Sequence, residues 1–138
     1  MAYYNKAGLL VLNEDQTEFL VCEKAPEHVT ADYIMPGGKI EEPNEIETLK
    51  AEIKEELDCE INPNELEFIG EYTDVASGRP DRDVSIKLWK GELIGEPKPS
   101  TEVKFIHWIG KSAIDNPRVS PIIRNKIIPD LVKRGILK

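Results

Sequence analysis

The chain has 138 residues, 40% hydrophobic and 32% charged, which is ordinary usage for one globular domain, residues 1–138, with a proper core. Its formal net charge of -8 argues against a nucleic acid polymer as partner, because gripping a phosphate backbone needs a basic footprint. No apolar run reaches the roughly eighteen residues of a membrane span, and no signal-peptide pattern opens the chain. The expectation is therefore a cytoplasmic protein, with Cys22 and Cys59 as reduced packing thiols.

Taken in order, residues 3–12 read as a strand whose second half (Gly-Leu-Leu-Val-Leu) is buried on both faces. A polar turn over 13–17 precedes residues 18–23, expected to return as its hairpin partner. Residues 25–32 form a loop in which His28 reads as a surface histidine rather than a substrate contact. A short strand at 33–35 leads to a Gly-Gly turn at Gly37 and Gly38, a loop broken by Pro43, and then a helix. Asn44 is its expected N-cap, with Glu45 and Glu47 in the first turn, where the helix dipole favours negative charge. Ile46, Leu49, Ile53 and Leu57 recur at helical spacing and form one apolar stripe.

Downstream, 61–64 is a turn and 66–75 a strand. Residues 76–83 hold Gly, Pro and two cations, Arg79 and Arg82, and read as a mobile loop. They read as solvent-exposed loop arginines, with a phosphate or base contact as the alternative for one of them. Residues 84–93 alternate as a half-buried strand paired with the previous one, Trp89 being out of phase. A Pro-containing loop at 95–100 precedes a last strand at 102–109, and 111–116 read as a helical turn. Residues 119–134 carry apolar side chains at helical spacing, with Pro121 in the first turn and Pro129 expected to kink or interrupt the helix. This order gives an α/β fold with a mixed sheet between helices.

The chemistry concentrates on the helix after Asn44. Glu45, Glu52 and Glu56 fall in a narrow sector beside the apolar stripe, with Glu55 further round the same flank. For a plain helix this is a liability. Glu55 and Glu56 sit where the macrodipole disfavours anions, and the like-charged Glu52–Glu56 pair costs an isolated helix roughly 0.2–0.5 kcal/mol. A divalent cation would convert the cluster into a site, and Mg²⁺ suits hard oxygen ligands shared with phosphates. The plain alternative is a solvated acidic face.

The stretch from Met35 to Cys59 resembles the Nudix box of the MutT-like Nudix hydrolases, whose pattern is G-x5-E-x7-R-E-U-x-E-E-x-G-U with U aliphatic. Gly38 takes the opening glycine, and Glu52-Ile53-Lys54-Glu55-Glu56 takes the E-U-x-E-E core. The chain departs from the pattern in a loop one residue shorter, with Pro43 near the early Glu position and Glu42 and Asn44 on either side. Ala51 stands at the Arg position, Asp58 at the later Gly and Cys59 at the last aliphatic place. In the family the early Glu and the Arg brace the loop, so their joint loss reads as one missing strut. A loop glutamate before a strand ending in Trp is a further family feature, which Glu102 and Trp108 match.

The resemblance implies a Nudix-like α/β/α sandwich and hydrolysis of a phosphoanhydride in a nucleoside diphosphate-linked compound. It implies Mg²⁺, with Mn²⁺ as substitute, held by the Gly38 carbonyl and by Glu52, Glu55, Glu56 and Glu102. The general base is one of Glu52, Glu55 or Glu102. Lys39, Arg79 and Arg82 are the candidate substrate contacts, and Phe19, Tyr72, Trp89 or Phe105 either stack on a base or pack in the core. The substrate is a small-molecule nucleotide, with a nucleoside triphosphate preferred and ADP-ribose or a dinucleoside polyphosphate as alternatives; a homodimer stays open. The rival readings are a Nudix-fold module that binds without hydrolysing, and an acidic interaction helix on a structural domain.

Overall fold

Alternation along two buried strands sets the layering. The structure, a computed structural model, describes residues 3–24, 32–41, 44–76 and 79–138. In β1 (Tyr4–Leu10) and just beyond it, Ala7, Leu9 and Val11 join one apolar cluster while Leu10 joins another. In β2 (Phe19–Lys24), Leu20 and Cys22 join the first cluster, and Phe19 and Val21 the second. Successive strand side chains point to opposite faces, so both strands lie between two cores. The first core is closed by Leu49, Ile53 and Leu57 of helix α1 (Glu45–Leu57). The second is closed by Ile122, Ile123, Ile127, Ile128 and Leu131 of the C-terminal helical segment. Sheets flanked by helices on both sides make this a mixed α/β sandwich.

The remaining strands are β3 (Tyr33–Ile34), β4 (Gly37–Lys39), β5 (Glu67–Ala76), β6 (Arg79–Lys90) and β7 (Val103–Ile109). Two sheets form from the described strands, one in the order β4-β1-β6-β5 and one in the order β3-β2-β7. The expected β1–β2 hairpin does not form. Both edges of β1 are occupied, by β4 antiparallel and by β6 parallel, and only a Leu12–Phe19 bridge remains at the turn. β2 instead pairs antiparallel with β3 and β7. The Gly-Gly segment also differs from expectation, being the short edge strand β4 rather than a free turn, with Ala7 opposite Gly38 and Gly8 opposite Gly37.

The segment expected as a loop from 76 to 83 is mostly strand. β5 and β6 pair as far as Ala76–Arg79, and residues 77–78 lie outside the described set. Its polar composition misled because main-chain pairing beyond the core needs no apolar alternation. Residues 63–65 and 111–115 form 3₁₀ turns, close to the turns expected there.

At the C-terminus the chain is helical over 121–133. Pro129 neither ends this segment nor leaves it regular: a π-helical turn, Ile123–Ile127, precedes α2 (Ile128–Lys133). The Ile128 N–H donates to the Ile123 carbonyl, five residues back. The wider turn relieves the clash between a proline ring and the carbonyl four residues earlier. α2 is fastened to β5 by polar groups. The Tyr72 hydroxyl donates to Asp130 Oδ2, and Arg134 Nη1 donates to the Ile69 carbonyl at 2.9 Å and to Asp130 Oδ2 at 3.0 Å.

Candidate active site

The acidic flank of α1 is aimed by its two ends. Asn44 caps the N-terminus, its side chain accepting from the Glu47 N–H at 3.0 Å. At the other end Asp58 adopts a left-handed conformation (φ 56°) and its N–H donates to the Lys54 carbonyl. That backbone geometry is the one glycine adopts at no steric cost, which accounts for the family's glycine at this place in the box. With the apolar stripe fixed in the core, Glu56 is carried inward to 1% exposure and Glu52 to a half-buried position, while Glu55 stays exposed.

Glu56 is held by both oxygens. Oε1 accepts from the Gly37 N–H at 2.9 Å and Oε2 from Lys24 Nζ at 2.6 Å. Glu52 lies against Gly38, where a Cβ would stand 2.6 Å from the Glu52 carboxyl carbon. Glycine at 38 is thus a cradle for a carboxylate. Glu102 comes from a different element: a turn in which the Ser100 N–H donates to the Val103 carbonyl places it just ahead of β7. Lys24 and Val103 are cross-strand partners, so Glu102 reaches Lys24 Nζ at 3.8 Å.

Burial and mutual repulsion shift the proton affinities of these groups. Burial, followed by the charges of Glu56 and Glu55, pushes the Glu52 carboxyl up to about 7. Burial also raises Glu56, against the pull of Lys24 and of the Gly37 N–H. Burial works against the Lys24 charge, yet Glu56 outweighs it and holds the ammonium above its ordinary value. Among the described residues no three His, Cys, Asp or Glu side chains converge on a point ready to ligate a metal. The donor set nevertheless fits a hard divalent cation: carboxylate oxygens in mutual repulsion, beside a strand whose missing side chains leave room for close approach.

Glu52 and Glu56, but not Glu55 or Glu102, open onto a cavity of about 380 Å³. Glu52, Glu56, Gly37 and Gly38 line it together with Lys6, Lys24, Lys39 and Arg79, and Met35, Val84, Ile86 and Ile122 give it an apolar wall. Of the residues expected to contact substrate, Lys39 and Arg79 line the cavity. Arg82 does not line the cavity; its Nη1 donates to the Tyr4 hydroxyl at 3.1 Å and its guanidinium lies 4.2 Å over the Tyr3 ring. None of the four aromatics considered for base stacking lines the cavity. Phe19 is core, Tyr72 is tied to Asp130, Trp89 packs edge-on against Phe68, and Phe105 is exposed elsewhere. Among the described residues, Tyr4 is the aromatic that does line it. His28, Glu42 and Pro43 lie outside the described residues.

Sequence reading missed Lys6 and Lys24. Burial, with Lys24 nearby, holds Lys6 below the ordinary lysine value. A lysine bordering the buried run of a strand was the available signal, since a partly buried charge is costly without a partner.

A mixed α/β sandwich, with clustered carboxylates on one helix against a glycine strand and cations around the adjoining cavity, is the arrangement that the resemblance to the Nudix hydrolases implies. The NUDIX domain family model matches residues 3–131, and the chain belongs to that family of pyrophosphohydrolases. No curated protein matches the chain. Among solved structures it is similar to the MutT protein from Methanosarcina mazei Go1, with TM-score 0.75 and 18% identity over 97% of this chain and 96% of that one. The MutT NUDIX hydrolase from Burkholderia pseudomallei gives TM-score 0.70 and 14% identity over 94% and 97%. The NUDIX hydrolase from Nitrosomonas europaea gives 0.67 and 14% over 96% and 87%. At these identities the likeness is one of fold.

Proposed function

We propose that the protein is a nucleoside triphosphate pyrophosphohydrolase that uses Mg²⁺, with Mn²⁺ as substitute, at the Glu52–Glu56 cluster. The observation that carries this reading is the convergence of Glu52, Glu56 and the Gly37–Gly38 strand on a cavity that also holds Lys6, Lys24, Lys39 and Arg79. A chain of net charge -8 has placed four cations around one cleft, which is what a polyanionic substrate requires. A cavity of about 380 Å³ suits one nucleoside better than the two of a dinucleoside polyphosphate, since pockets for drug-sized ligands start at about 300 Å³.

The divalent ion, when bound, supplies charge neutralisation for the anhydride and lowers the pKa of the attacking water. Glu52, Glu55, Glu56 and Glu102, with the Gly38 carbonyl, are the groups that would hold it. Lys39 and Arg79 orient phosphate oxygens, and the apolar wall around Met35, Val84 and Ile122 takes the nucleoside and excludes water. The proton of the attacking water goes to Glu52, Glu55 or Glu102. Of the three, Glu52 is the one that lines the cavity.

The test is hydrolysis of nucleoside triphosphates, oxidised guanine nucleotides, ADP-ribose and dinucleoside polyphosphates with Mg²⁺ or Mn²⁺. Turnover on triphosphates, reduced at least a hundredfold in Glu56→Gln, is expected, as removing an electrostatic stabiliser costs about 10²–10³ in kcat. Preference for ADP-ribose or a dinucleoside polyphosphate would overturn the substrate assignment alone. Nucleotide binding without turnover on any compound would leave a binding module. The position that favours such a weakened site is Ala51, exposed on α1, where the family pattern has an arginine.

A further inference from the structure

Lys24 stands where carboxylates from two elements meet. Its Nζ lies 2.6 Å from Glu56 Oε2 on α1 and 3.8 Å from Glu102 Oε2 ahead of β7. The Lys24–Glu56 pair is desolvated, the two side chains being 18% and 1% exposed. Glu56 Oε1 already accepts from the Gly37 N–H, so a cation that takes Glu56 through Oε2 shares that oxygen with the ammonium. A cation ligated there meets the ammonium directly, as a competitor for the same atom.

Lysine suits displacement. Its charge is compact, carried on a four-carbon stem with rotatable bonds, unlike the planar fork of arginine that locks onto a carboxylate bidentately. Lys24 also lines the cavity that Lys6, Lys39 and Arg79 surround, and it lies near enough to Lys6 to lower that side chain's proton affinity. An ammonium parted from Glu56 in this setting keeps Glu102 beside it and has Lys6, Lys39 and Arg79 around the same cavity; where the cation takes Glu102 as well, an incoming anion is its remaining partner.

We propose that Lys24 is a tethered counter-ion of the carboxylate cluster. A divalent cation displaces it from Glu56, and the released ammonium turns to a phosphate of the nucleotide. Lys24 thereby couples the two ligands: metal binding frees a phosphate contact, and a phosphate that draws Lys24 away vacates a metal ligand. Such coupling is reciprocal, each ligand tightening the other by one factor. This rests on the reading of Glu52 and Glu56 as metal ligands given above.

The experiment measures Mn²⁺ binding by electron paramagnetic resonance on the full chain, with and without a methylene-bridged, non-hydrolysable nucleoside triphosphate. For the wild type, the nucleotide should tighten Mn²⁺ binding. In Lys24→Met, Mn²⁺ alone should bind severalfold tighter than in the wild type, and the nucleotide's effect should shrink. Lys24→Gln keeps a hydrogen-bond donor toward Glu56 without the charge, and serves if the methionine variant folds poorly. Melting in EDTA and then in Mn²⁺ gives a second readout: both variants should gain more in Tm from Mn²⁺ than the wild type does. Equal or weaker Mn²⁺ binding in the variants, with the wild type binding normally, overturns this proposal alone. A wild type that binds no Mn²⁺ overturns it together with the reading of the carboxylates.

Discussion

At residue 38 the absence of a side chain is what the site requires. A Cβ there would come within 2.6 Å of the Glu52 carboxyl carbon, whereas at Gly37 it would come within 2.0 Å of the Ala7 carbonyl oxygen with φ at +135°. The two glycines therefore differ in kind. Gly38→Ala displaces the end of one long side chain, so the expected outcome is a folded protein with kcat down at least tenfold and Tm within a few degrees of the wild type. Gly37→Ala forces a strained backbone into the neighbouring strand, and Tm should fall well below that of Gly38→Ala. Circular dichroism melts beside steady-state kinetics separate the two; equal loss of stability in both would refute the distinction. The sequence announced a special Gly-Gly pair, but not that one glycine serves the backbone and the other a carboxylate. That division depends on β4 lying against β1 and under α1, contacts that no local pattern encodes.

At the scale of elements, α1 was the most legible part of the chain. Its cap, acidic first turn, apolar stripe and carboxylate flank all follow from 3.6-residue periodicity, and the helix spans Glu45–Leu57 with Asn44 capping it as expected. Removing the cap by Asn44→Ala should cost about 1 kcal/mol. Ile53→Ala, at 0% exposure, should cost about 2–5 kcal/mol. Denaturant unfolding measures both, and a cap effect as large as the core effect would mean that α1 is held by its end rather than its face. The C-terminal helix was legible in its apolar spacing but not in its winding. Pro129 required some break, and packing of Ile127, Ile128 and Leu131 into the second core selected a π turn over a stop.

For the whole molecule, acid stability should depend on the clamp between α2 and β5. The Tyr72 hydrogen bond, helped by Arg134, holds the Asp130 carboxyl below the usual carboxylate range. A carboxyl depressed in the folded state adds stability above its unfolded value near 3.9, and that stability is lost as pH falls through the folded value. Tyr72→Phe should therefore lower Tm at neutral pH and narrow the gap to the wild type as the pH drops below about 4. A gap that stays constant down to pH 2 would show that Asp130 does not carry the effect.

Composition, charge and the box were sufficient for the α/β class, for helix α1 and for the carboxylates along its flank, because these depend on local periodicity and on residue chemistry. The strand partners were decided elsewhere. β1 is flanked by β4 and β6 and not by β2, which enters a second sheet, since backbone pairing carries no label of its partner and is settled by which cores the side chains can close. Lys6 and Lys24 became site residues by the same route. Their neighbours across the strands, Lys39 opposite Lys6 and Val103 opposite Lys24, are far apart in the chain. Only the register of the sheets brings Glu102 to Lys24 and the cations to one cavity.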